Sequence, residues 1–278
     1  MKRLLFIAFL MISPALTAQI LERDTVKMRY NADSVRAEMD KAPYFTLFRD
    51  SYFIGGVPLN EKPTGYNSDV KFQLSISQRL TKSKLPFDTY LFITFTQKAM
   101  WNVFRKSMPM RDLNYNPGVG LGHLMIRKNK FVGKAYLLLE HESNGRDSLD
   151  SRSWNRVTLA TCFSLDKNWS TQLKTWIPII DSDHNRDIQK YYGCFQGVVN
   201  YRSDNEQFNA SAIIYVRQKK NLSLNTQIEL SYKFNNRDNQ FFFLQYFNGY
   251  GENLLEYNQY KSILRLGFVI KPEGMSFF

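Results

Sequence analysis

The chain has 278 residues, a formal net charge of +12, three histidines, two cysteines and 15% aromatic side chains. The length fits one large domain or two small ones. After the N-terminus no stretch reaches the ~18 apolar residues of a membrane helix, no cysteine spacing suits a metal, and the scattered basic residues (Lys128–Lys130, Arg217–Asn221) read as loop and lumen charge near anionic lipid rather than as a nucleic-acid surface.

Residues 1–18 read as a secretory signal peptide, with two basic residues, an apolar run from Leu4 to Ile12 and a small residue, Ala18, before Gln19. A single N-terminal membrane anchor is the other reading, and the run is short for one. Export permits a disulfide between Cys162 and Cys194 but does not require it. Residues 19–65 lack sustained alternation and are expected to form an N-terminal extension at one end of, or inside, the domain that follows. Within it, Asn31–Ala42 suits a short helix, and a turn-rich linker closes the segment.

From Ser68 the pattern changes to period two. Val70, Phe72, Leu74 and Ile76 alternate with Lys71, Gln73, Ser75 and Ser77, so the two sets lie on opposite faces of a strand. Leu91, Ile93, Phe95 and Gln97 share a face in the next run, and the rhythm continues to the C-terminus, ending in "SILRLGFVI". Eleven or twelve such runs, rich aromatics and an export signal predict an all-β fold over residues 66–278. The expected form is an antiparallel transmembrane β-barrel, and the preference of such barrels for even numbers makes it twelve strands. A secreted β-sandwich is the competing architecture, because its strands alternate too.

One stretch, "LLLEHESNGRDSLDSRSWNRV" from Leu137 to Val157, carries the candidate chemistry. Alternation places His141 and Ser143 on the face of Leu137 and Leu139, while Glu140 and Glu142 fall on the other. On the returning strand, Asn155 shares its face with Val157 and Leu159, opposite Arg156. The charged rows belong in the lumen, so His141, Ser143 and Asn155 project toward lipid, and antiparallel pairing can bring Asn155 beside His141. A serine hydroxyl needs an imidazole to take its proton, and the imidazole needs a third group to orient it. A nucleophile on the lipid face has one abundant scissile carbonyl before it, the acyl ester of a phospholipid. The bland alternative is an interfacial His and Ser followed by an Asn-Gly hairpin turn.

The block His141-Glu142-Ser143-Asn144-Gly145-Arg146, followed by Ser151-Arg152-Ser153-Trp154-Asn155-Arg156, resembles the signature of the outer membrane phospholipase A family of Gram-negative bacteria. Val70–Ser75, Thr96–Trp101, Asn114–Pro117 and Gly249–Asn258 resemble further family blocks in the same order. The resemblance implies His141 as general base, Ser143 as nucleophile and Asn155 as the His-orienting residue of a carboxylic ester hydrolase acting on phospholipids and lysophospholipids. It also implies a catalytic Ca2+ held by Ser151 and the carbonyl of Arg146, with the carbonyl of Ser107 added by a second subunit. A homodimer in the outer membrane is expected, with Gln97 at its interface. Asp147 and Asp150 make this loop more acidic than a serine-rich version, and His123 and His184 match no family position. The rival reading is a non-catalytic barrel: the contents of the lumen distinguish a porin-like channel, and the presence of all three triad members distinguishes a structural protein.

Overall fold

A computed structural model of the chain describes residues 37, 40–82, 85–127, 130–180, 183–217, 223–235 and 239–272. The expected signal peptide and most of the helix expected over Asn31–Ala42 lie outside the described residues. The strands are β1 (Phe45–Leu47), β2 (Ser51–Pro58), β3 (Asp69–Arg79), β4 (Thr89–Trp101), β5 (Met110–Arg127), β6 (Lys130–Ser143) and β7 (Ser153–Ser164). They continue as β8 (Trp169–Ile179), β9 (Phe195–Arg202), β10 (Phe208–Arg217), β11 (Ser223–Lys233), β12 (Gln240–Gly249) and β13 (Lys261–Ile270). From β2 onward consecutive strands pair antiparallel and β13 pairs back onto β2, so twelve strands, β2 to β13, close into a barrel. Closure leaves no strand edge unpaired, which lipid requires because it offers no hydrogen-bonding partner.

Eleven of these strands are the alternating runs visible in the sequence. The twelfth, β2, comes from the segment expected as an extension, so the barrel begins before residue 66. Gly55 and Gly56 interrupt its alternation, and a Cβ on Gly56 would sit 2.0 Å from the Leu264 carbonyl oxygen of β13. Glycine is what lets the closing strands approach. β1 pairs with Ile76–Gln78 of β3, beyond the point where β2 has ended.

The two faces separate as period two requires. On β6, Leu137 and Leu139 are 50% and 53% exposed, whereas Leu138 and Glu140 are each 2% exposed. Paired charge crosses the lumen. Arg265 donates to Asp69 at 2.8 Å and to Glu252 at 2.5 Å, Lys71 donates to Gln245 at 2.8 Å and Glu252 at 3.2 Å, and Arg111 meets Asp69. Cys162 and Cys194 are not joined in a disulfide, and Cys162 packs in the lumen with Phe48, Phe92 and Leu138.

The connections after β2, β4, β6 and β12 lie at one end. Among them, residues 250–260 between β12 and β13 fold back over the barrel mouth. Leu254 and Leu255 donate their N–H groups to Asn114 and Asp112 at 3.1 and 2.9 Å, and the Tyr257 hydroxyl donates to Asp187 at 2.5 Å. Leu254 and Tyr257 then join Trp154, Trp176 and Ile188 in a buried cluster. Burial pushes the Glu252 carboxyl pKa up, but Arg265 and Lys71 outweigh it and hold that pKa well below the usual carboxylate range. Replacing Arg265 with Met leaves two buried carboxylates without their principal cation, and is expected to destabilise the barrel by ~3–5 kcal/mol. The urea midpoint of the refolded protein in detergent measures this, and an unchanged midpoint would show that Asp69 and Glu252 find other partners.

Candidate active site

β6 and β7 are neighbours joined by residues 144–152. Their register places His141 opposite Asn155 and Ser143 opposite Ser153. His141 Nδ1 lies 2.8 Å from Asn155 Oδ1. A carbonyl oxygen only accepts, so Nδ1 carries the proton and Nε2 is left as an acceptor. Ser143 follows two residues along the same outer face, and His141, Ser143 and Asn155 are all half-buried. The geometry sets His141 against Asn155 and leaves Ser143 two residues along on the same outer face.

The inner face of the same two strands explains why they hold this register. Arg156 points into the lumen and donates to Glu142 at 2.7 Å and to the two oxygens of Glu140 at 3.1 and 3.3 Å. Glu140 also accepts from Arg49 at 3.1 Å and from the Thr158 hydroxyl at 2.5 Å, while the Trp154 indole donates to Glu142 at 3.3 Å. A slip of one residue would turn every one of these charges toward lipid, so the network strongly specifies the pairing of His141 with Asn155.

The connecting loop is organised by Asn144, which is buried. Its side-chain oxygen accepts from the N–H groups of Arg152 at 3.0 Å and Arg146 at 3.4 Å, and its amide donates to the Asp150 carbonyl at 2.9 Å. Gly145 takes a φ of 64°, the left-handed region that favours glycine. Beyond β8, Asn185 is fully buried and its side chain accepts from Ser153 N at 3.2 Å and donates to Ser153 O at 2.9 Å. Its neighbour His184 is exposed, and nothing in the polar run "DSDHNRD" distinguishes Asn185 as the clamp. His123 lies at the opposite end of the barrel, with Nδ1 2.9 Å from the Phe87 carbonyl.

Arg146 and Ser151 belong to the 144–152 loop. The Arg146 guanidinium reaches Asp150 at 3.4 Å and also meets the Arg111 carbonyl, while Ser151 is half-buried at the end of a single 3-10 turn, Ser148–Asp150. Asp147 and Asp150 are exposed. Ser107 is exposed between β4 and β5, at the same end, with φ 68°. Among the described residues no group of three His, Cys, Asp or Glu is placed to hold a metal ion. A cation here would rest on hydroxyl and carbonyl oxygens, which suit calcium. Gln97 is on the outer face of β4, half-buried, and pairs with Leu74 and Tyr115. Tyr115 in turn pairs with Ser143, so Gln97, Tyr115, Ser143 and Ser153 form one row across four strands.

The phospholipase A1 family model matches residues 54–270. A phospholipase A1 of Klebsiella pneumoniae is 30% identical over 211 residues, covering 73% of this chain and 70% of the relative. Two solved structures are similar. An active-site mutant of outer membrane phospholipase A from Escherichia coli, with asparagine changed to alanine, superposes with TM-score 0.73 at 25% identity, over 86% of this chain and 97% of that one. A calcium-bound outer membrane phospholipase dimer of Salmonella typhi superposes with TM-score 0.72 at 27% identity, over 87% of this chain and 98% of that one.

Replacing Asn144 with Ala removes the partners of three loop main-chain groups and should loosen residues 145–152. A loss of ~1.4 kcal/mol of local order raises the open population about tenfold. Trypsin should then cut after Arg146 or Arg152 about tenfold faster while the barrel stays folded; an unchanged cleavage rate would remove Asn144 as the organiser of the loop.

Proposed function

Because the chain belongs to the phospholipase A1 family and folds as an outer membrane barrel, its activity is phospholipid ester hydrolysis, and we propose that a calcium-dependent Ser–His–Asn site facing lipid performs it. The observation that supports this most directly is the 2.8 Å contact between His141 Nδ1 and Asn155 Oδ1, with Ser143 two residues away on the same face. Asn155 holds the Nδ1 proton and fixes the ring, so Nε2 takes the proton of the Ser143 hydroxyl as Oγ attacks the acyl carbonyl. The tetrahedral intermediate collapses as His141 returns that proton to the leaving glycerol oxygen. Water then attacks the acyl-serine, His141 takes its proton and passes it to Ser143 Oγ, and the fatty acid leaves.

The Ser151 hydroxyl and Arg146 carbonyl, with Ser107 of the partner subunit, form an oxygen donor set that fits calcium, and Asp147 and Asp150 add negative charge nearby. When bound, the ion supplies Lewis-acid stabilisation of a developing oxyanion. Gln97 would pair with its own copy across a two-fold axis, because an amide facing hydrocarbon is costly without a partner. Two strand spacings, ~10 Å, separate its row position from Ser143, so each catalytic face would flank the seam. The signal peptide read in residues 1–18 would direct export. Substrates are phospholipids and lysophospholipids. The paired charges that cross the lumen weigh against the porin-like alternative.

Ser143→Ala should abolish release of fatty acid from phospholipid micelles while leaving a folded, heat-modifiable barrel, and Asn155→Ala should lose less, since no ionic partner of the imidazolium is removed. Near-parental turnover by Ser143→Ala would eliminate this mechanism. For the assembly, Gln97→Ala should weaken the dimer by ~0.6–2 kcal/mol, and chelation of calcium should separate subunits and silence hydrolysis. Sedimentation in detergent beside the ester assay reads both, and full activity from a monomeric, calcium-free sample would contradict the proposal.

A further inference from the structure

β5 contains a proline, Pro117, although it is paired on both sides. Proline has no N–H for a ladder and is normally confined to edges and bulges. On the β4 side the pairing passes through it, with Phe95 opposite Pro117 and Thr96 opposite Asn116. On the β6 side the register joins Tyr115 to Ser143 and then resumes at Gly118 with Glu140. The register is the same on both sides of this interruption, so by continuation Pro117 falls opposite His141 and Asn116 opposite Glu142. The proline therefore faces the very residue read above as the general base, and it has no hydrogen to give to that residue's carbonyl.

The neighbouring side chain makes the bond instead. Asn116 is 6% exposed, on the lumen side, and its Nδ2 donates to the His141 carbonyl oxygen at 2.8 Å. Its Oδ1 accepts from Arg156 Nη2 at 3.5 Å. One amide thus joins the main chain of His141, whose ring faces lipid, to the guanidinium that holds Glu140 and Glu142 inside. Resting on the Ser–His–Asn reading, we propose that Asn116 is a positioning residue: its amide replaces the N–H that Pro117 lacks and ties the backbone of His141 to the interior ion network. The bond fixes where the His141 Cα sits in the wall, and so the reach of its ring toward Ser143 on one side and Asn155 on the other. A small misplacement of a catalytic group has a large effect on rate, whereas substrate capture by the outer face does not pass through this contact.

The arrangement predicts a compensating pair. Asn116→Ala should lower kcat about ten- to a hundredfold with KM nearly unchanged. Pro117→Ala alone should be close to the parent, because it adds an N–H where Asn116 already donates. The double variant Asn116→Ala/Pro117→Ala should recover most of the lost kcat, since the new main-chain N–H faces the His141 carbonyl. Asn116→Asp provides a second starting point if the alanine variant does not fold: it keeps size and the contact to Arg156 but removes the donor, and Pro117→Ala should rescue it as well. The assay is kcat and KM on detergent-dispersed phospholipid with calcium, using full-length refolded protein whose heat-modifiability confirms the barrel. A kcat for Asn116→Ala within twofold of the parent, or a loss that Pro117→Ala leaves unrepaired, would overturn the proposal. Ser143→Ala measured in parallel separates the two levels. If it retains turnover, the Ser–His–Asn reading fails; if it is inactive and rescue is absent, that reading stands and the role of Asn116 falls.

Discussion

Arg156 stands in the lumen between Glu140 and Glu142, and the candidate site on the other side of the wall depends on that contact. A strand exposes alternate residues to opposite media, so each lipid-facing residue of this hairpin is flanked by lumen-facing ones. Removing Arg156 would leave two buried carboxylates without their shared cation, a far larger cost than loss of the single His141–Asn155 bond. The ion pairs therefore specify the register, and the register places the imidazole against its amide partner. Chemistry on the outside is held in place by electrostatics on the inside.

The same division of labour accounts for the rest of the mouth. Pairs of Lys, Arg, Asp and Glu cross the barrel interior, and the 250–260 segment adds Leu254 and Tyr257 to the cluster around Trp154. Asp112 and Asn114, on the inner face of β5, hold that segment by its main chain, and Asp112 also reaches Asn144 at 3.4 Å. The plug, the β5 strand and the 144–152 loop thus share partners. A protein whose substrate is the membrane itself has no use for a pore. It needs a defined outer surface, and the ion pairs across the lumen hold the strands that present it.

The row Gln97, Tyr115, Ser143 and Ser153 connects two features that are far apart in sequence. Adjacent strands are ~4.8 Å apart, so a contact made at Gln97 lies within two strand widths of the proposed nucleophile. An interface there would border the site on the lipid side. Leu74, 49% exposed and paired with Gln97, continues the apolar surface on the other flank of that row.

Period two established the strands and the two faces of β6 and β7; with the aromatics and the export signal it pointed to a barrel, and so to the outward aim of His141, Ser143 and Asn155. These are local properties, because a pleated strand turns each successive side chain over regardless of what surrounds it. The spacing of the block from His141 to Arg156 added the residue types of an ester hydrolase and the likeness to a phospholipase family. The tertiary structure decided what depends on distant partners. β2 became a barrel strand because closing the ring needs a partner for β13, and the glycines that permit it erase the alternation that would have revealed it. Asn144, Asn185 and Asn116 look in sequence like ordinary turn or strand polar residues. Each is distinguished only by the backbone group it reaches across a loop or a strand, and that proximity exists only once the barrel has closed.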